Sequence, residues 1–124
     1  MLNVKIDTKE KFTVITPQDA HLPAIMTDEL TQMLLGCLQK DIPHVIVNMQ
    51  AVQSVDIPVA KAIAKTQQQF YENNCSFVVC NLTKEVEAVF NNADILDTMN
   101  VTPSESEAWD IVQMEEIERE LLGD

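Results

Sequence analysis

The chain has 124 residues, 20 acidic against 8 basic side chains and a formal net charge of −12. That length is one domain able to bury roughly two-thirds of its unfolded surface, and the charge repels nucleic acid phosphates and anionic lipid. Only Gly36 and Gly123 are glycines, which excludes a glycine-rich phosphate loop of the P-loop or dinucleotide type.

Asn3 to Ile6 and Phe12 to Ile15 alternate apolar and polar residues around Asp7-Thr8-Lys9-Glu10, the pattern of a hairpin with one buried face. Thr16 to Pro23 is read as loop. Leu30, Met33, Leu34, Cys37 and Leu38 then fall on one helical face, with Thr27 as N-cap and Asp28-Glu29 in the first turn. Asp41-Ile42-Pro43 ends that helix. His44 to Met49 is an apolar run without strict alternation, as in a strand covered on both faces.

Ser54-Val55-Asp56-Ile57-Pro58 hands over to a second helix. There Val59, Ile63 and Phe70 share one face, and Lys61, Lys65, Gln68 and Glu72 form a solvated one, to about Asn73. Ser76 to Cys80 is another buried strand. Asn81-Leu82-Thr83 follows, with Thr83 capping a short helix that carries Val86, Val89 and Phe90. Ile95 to Val101 is a turn and a very short strand. Thr102-Pro103-Ser104-Glu105 fits a capping box with Thr102 as N-cap, opening a last helix over Pro103 to Leu122 that buries Ala108, Ile111, Val112 and Trp109. From Ser104 to Asp124 there are eight acidic residues and one basic, read as a solvated face with an acidic helix end or tail.

The order is ββαβαβα with a closing helix. Parallel strands need helical crossovers, so the reading is a single α/β domain over 1–124. It has a mixed sheet of four to five strands, three to four helices packed on it, and the hairpin at one side. No segment has the length and apolarity of a membrane span or signal peptide, so the expected setting is the cytoplasm. Cys37, Cys75 and Cys80 form no CxxC and read as buried reduced thiols. Neither His21 nor His44 lies near a cysteine in sequence, so no metal site is expected, and no cofactor.

The run HVIVNMQAVQSVDIPVAKAI, followed by CSFVVCNLTKEVEAVF, resembles the STAS domain, the fold of bacterial anti-sigma factor antagonists, over nearly the whole chain. In that family a central strand ends in Asp-Ser-Ser-Gly before a helix, the next ends in an Asn-Leu-Ser-like turn, and the last helix follows a Thr-Pro-like step. The matching positions here are Asp56-Ile57-Pro58-Val59, Asn81-Leu82-Thr83 and Thr102-Pro103. The resemblance implies a noncatalytic module whose second motif serine is phosphorylated by a partner kinase, which breaks the complex with that kinase. Pro58 stands at that position and has no hydroxyl.

The implied partner is therefore an anti-sigma factor or a serine kinase-like ATPase. It would be met by Asp56, Ile57, Pro58, Val59, Lys61 and Asn81. Asp56 is either a polar contact on that surface or a helix cap. Ile57-Pro58 is either a small apolar patch or a turn stiffened by proline. Ser54 and Thr83 are the nearby hydroxyls for a displaced phosphorylation site, although a solvated loop serine and a helix cap are their commoner roles. A scaffold subunit of a stressosome-like or lipid-transport complex is the alternative function, and a homodimer is left open. An enzyme ranks last, because no carboxylate pair or base-flanked nucleophile stands out.

Overall fold

The computed structural model describes residues 2–122. Strands β1 (Val4–Thr8), β2 (Thr13–Pro17), β4 (Val45–Asn48), β6 (Phe77–Cys80) and β7 (Val101–Thr102) form one sheet in the order β1-β2-β4-β6-β7. β1 and β2 are antiparallel; β2, β4, β6 and β7 are parallel to their neighbours. The mixed sheet with its hairpin at one edge is the expected architecture. Two further short strands, β3 (His21–Leu22) and β5 (Ser54–Val55), pair in parallel outside it.

Helices α1 (Thr27–Gly36), α2 (Ile57–Glu72) and α3 (Lys84–Asn92) cover one face of the sheet, and α4 (Glu105–Leu121) covers the other. The two cores follow from strand alternation. Ile15, Val45, Val47, Phe77 and Val79 point toward α1–α3, whereas Val14, Ile46, Val78 and Cys80 meet Ala108 and Val112 of α4. β4 and β6 are thus apolar on both faces, which is why their sequences do not alternate. Trp109 is half-buried, tilted on Phe12 at 5.0 Å between ring centroids. No helix of the described residues is long and apolar enough to cross a membrane.

Five local expectations are corrected. The hairpin turn is Lys9–Phe12, closed by Lys9 N–H on the Phe12 carbonyl at 2.8 Å, while Asp7 and Thr8 still pair with Val14 and Thr13 in the exposed edge strand. The segment read as loop from Thr16 contains the end of β2 and all of β3, a strand too short to carry a periodic pattern.

Thr27 does not cap α1. A 3-10 turn, Ala24–Met26, precedes the helix, so Thr27 is already its first residue, and its buried hydroxyl has no partner among the described residues. α4 starts two residues late, because Thr102 is held in β7 opposite Cys80. Its cap is Ser104, whose Oγ accepts from Glu107 N–H at 3.3 Å.

The acidic end of α4 is also not simply a solvated face. Glu115 accepts from Tyr71 Oη–H at 2.8 Å and from Ser76 Oγ–H at 2.6 Å, and Arg119 donates to Ser76 Oγ at 2.9 Å. Glu116 lies 3.2 Å from both Arg119 Nη1 and His44 Nε2. These bonds fasten the helix across the N-terminal ends of β4 and β6.

Candidate functional site

Parallel strands deliver their following turns to one edge of the sheet, so the turns after β4, β6 and β7 gather at the C-terminal edge. Asn48, the last residue of β4, organises this edge. Its Oδ1 accepts from Gln50 N–H at 3.0 Å and from Asn81 Nδ2 at 3.2 Å, and its Nδ2 donates to Glu105 Oε1 at 3.1 Å. One buried amide therefore joins two strand ends and the start of α4. Asn81 itself has φ 59°, a left-handed conformation that asparagine tolerates well. Its identity answers a backbone demand as well as a side-chain one.

The turn ahead of α2 is a second cluster. Asp56 is extended at the N-cap position (φ −77°, ψ 151°), yet its carboxylate does not cap α2. Oδ2 instead accepts from Ala24 N–H at 2.8 Å, and Oδ1 lies 3.5 Å from His21 Nε2. The other ring nitrogen of His21 is 2.7 Å from Ser54 Oγ. The cap expected on α2 is therefore not formed, and the carboxylate holds the Ala24–Met26 turn instead, far back in the chain. With β3 paired to β5 and Asp56 N–H donating to the Leu22 carbonyl at 3.0 Å, the β3 segment is clamped against the head of α2.

What this clamp displays is apolar. Ile57 is 52% exposed, Pro58 is exposed beside it in the first turn of α2, and Ile25, on the turn held by Asp56, is 90% exposed. Pro58 is tolerated because the first-turn N–H groups of a helix have no intrahelical acceptor. Lys61 is exposed one turn further on.

Val59, placed with the contact residues by its motif position, is fully buried in the core under α2 and is unavailable to a partner. Ser54 is half-buried in β5 rather than free in a loop, and its hydroxyl is engaged by His21. Thr83 caps α3, accepting from Val86 N–H at 3.4 Å and donating to the Val52 carbonyl at 3.2 Å. Its hydroxyl is committed to joining the two turns.

Sequence reasoning missed His21, Ile25 and Asn48. Asn48 was visible as the polar residue closing an apolar strand. His21 and Ile25 gave no signal, because their place beside Asp56 depends on the pairing of β3 with β5.

The thiols are not poised for nucleophilic chemistry. Cys37, Cys75 and Cys80 are buried, and burial raises the pKa of each, with Glu105 also helping to push Cys80 up to about 12. Among the described residues, no group of three or more His, Cys, Asp or Glu side chains is placed to hold a metal ion.

Among solved structures, a Thermotoga maritima protein is similar with a TM-score of 0.79 and 14% identity, over 89% of this chain and 94% of that one. An anti-sigma factor antagonist from Mycobacterium paratuberculosis gives a TM-score of 0.76 at 15% identity, over 91% and 95%. A stressosome structure gives 0.66 at 12% identity, over 88% and 96%. At such identities the likeness is one of fold. No curated protein matches the chain in sequence. The STAS domain family model, however, matches residues 3–108, from the first strand into α4, and the chain belongs to the STAS domain family.

Proposed function

We propose that the chain is a noncatalytic regulatory module that binds an anti-sigma factor or a serine kinase-like ATPase through the turn at the head of α2. The observation that carries this reading is the exposed apolar patch of Ile57, Pro58 and Ile25, mounted on the Asp56 clamp beside Lys61. A rigid apolar centre with a polar rim is what a protein contact requires, because little ordering entropy is then lost on binding. Asp56, Ile57, Pro58 and Lys61 form the contact, and Asn81 borders it on the neighbouring turn. In place of the usual phosphoacceptor serine the chain has Pro58, so binding at this position is not released by phosphate.

The test is a pull-down from the native host with wild type, Pro58→Arg and Pro58→Ser, followed by mass spectrometry of bound proteins and of the bait. The reading expects an ATPase or anti-sigma factor on wild type, its loss with Pro58→Arg, and phosphate gained at the substituted position in Pro58→Ser. Undiminished capture by Pro58→Arg moves the interface elsewhere. Phosphate on wild-type Ser54 would instead make that residue a displaced switch. The similarity to a stressosome structure favours one second reading, a scaffold subunit. A stable homo-oligomer in light scattering would support it.

A further inference from the structure

α4 is longer than the sheet face it covers, and its second half carries an apolar stripe that the core does not use. The inward side is defined by Ala108 and Val112 and then by Glu115, Glu116 and Arg119 through their bonds to Tyr71, Ser76 and His44. At 3.6 residues per turn, Met114, Ile117 and Leu121 stand on the opposite side. They are 59%, 54% and 81% exposed. Single exposed apolar residues are ordinary. Three at spacings of three and four along one outward line are the arrangement that receives an amphipathic helix.

Charge decides the occupant. Glu118 flanks the stripe on one side and Glu120 on the other, and both are exposed. Glu116 and Glu120 also line a groove of about 270 Å3 beside Ile117, together with Lys11, Val112 and Gln113. Arg119, the helix's single basic residue, is turned inward onto Glu116 and Ser76, so its charge does not offset the two outer carboxylates. Among the described residues, Lys11 is the one cation lining the groove. A second copy, also at −12, would set Glu118 and Glu120 against their own counterparts.

We propose that the outer face of the C-terminal half of α4 docks a basic amphipathic helix of another protein. The partner's apolar side would lie on Met114, Ile117 and Leu121, with its Lys or Arg side chains beside Glu118 and Glu120. This face lies on the opposite layer from α2, toward the end of the sheet where His44 and Ser76 sit, so the domain would hold two partners at once.

The test is an NMR titration of the isotope-labelled chain, at physiological salt, with two synthetic helical peptides that share a leucine stripe. One peptide is flanked by lysine and the other by glutamate. The lysine peptide should shift resonances on the outer face of α4. Ile117→Ser with Leu121→Ser should weaken it about tenfold or more, since central apolar anchors dominate such contacts. Both positions are largely exposed, so the fold should persist, as circular dichroism would verify.

Glu118→Lys with Glu120→Lys should transfer the preference to the glutamate peptide, and Ile57→Ser should change nothing, which separates this surface from the α2 turn. Lysine-peptide binding that survives loss of Ile117 and Leu121 would overturn the proposal, as would shifts centred elsewhere. So would self-association in sedimentation that Ile117→Ser abolishes.

Discussion

Replacing Asp56 with alanine removes one carboxylate that ties two chain segments far apart in sequence. The Ala24 N–H loses a charged acceptor at 2.8 Å, and His21 loses a neighbour at 3.5 Å. A hydrogen bond to a charged group contributes about 1.5–3 kcal/mol when well shielded. Asp56's side chain is 44% exposed and water can replace part of that bond, so about 1 kcal/mol is the expected share here. The exposed His21 pair adds about 0.5 kcal/mol or less.

The predicted loss is therefore about 1–1.5 kcal/mol, a fall in Tm of about 4 °C per kcal/mol for a domain of this size. Asp56→Asn keeps an acceptor oxygen and should lose about half as much. Urea unfolding followed by Trp109, the single tryptophan, gives the free energies, and hydrogen exchange at the Ala24 amide reports on the bond itself. Wild-type stability together with unchanged Ala24 exchange in Asp56→Ala would refute the clamp.

Thr27→Ala should raise stability by about 1 kcal/mol, because the threonine hydroxyl is buried without a partner among the described residues and alanine is the better helix former; equal or lower urea midpoints would show that the hydroxyl is satisfied. His44 gives a pH dependence. Its Nδ1 accepts from Ser76 N–H at 3.0 Å, so the neutral ring carries its proton on Nε2 toward Glu116, and burial, reinforced by Arg119 and opposed by Glu116 and Glu115, lowers its pKa. The unfolded chain therefore binds a proton more readily. The stabilisation is complete above the unfolded value of about 6.5 and is lost as pH falls from there through the lowered folded value. His44→Gln should flatten the stability profile in that window, and an unchanged slope would show that other groups set it.

The order of strands and helices was legible because each element carries its own pattern. Apolar β4 and β6 announce burial on both faces, and the polar faces of α2 announce one-sided packing. Asp56, Ile57 and Pro58 could be placed on an exposed strand-to-helix turn for the same local reason, since a proline in the first helical turn marks where a helix begins. Val59 could not be sorted from its neighbours by the motif alone. Its burial follows from the rotation of α2 about its axis against the sheet.

Other features belong to contacts between segments far apart in the chain. Whether Asp56 caps its own helix or another turn depends on β3 lying beside β5, a pairing of two residues each that leaves no periodic trace. The same holds for the acidic helix. Composition establishes that α4 is rich in carboxylates. Only packing across the ends of β4 and β6 turns Glu115, Glu116 and Arg119 inward and leaves Met114, Ile117 and Leu121 outside. Local sequence can state a residue's polarity and its place on a helix, but which side of that helix meets the core is decided by what packs against it.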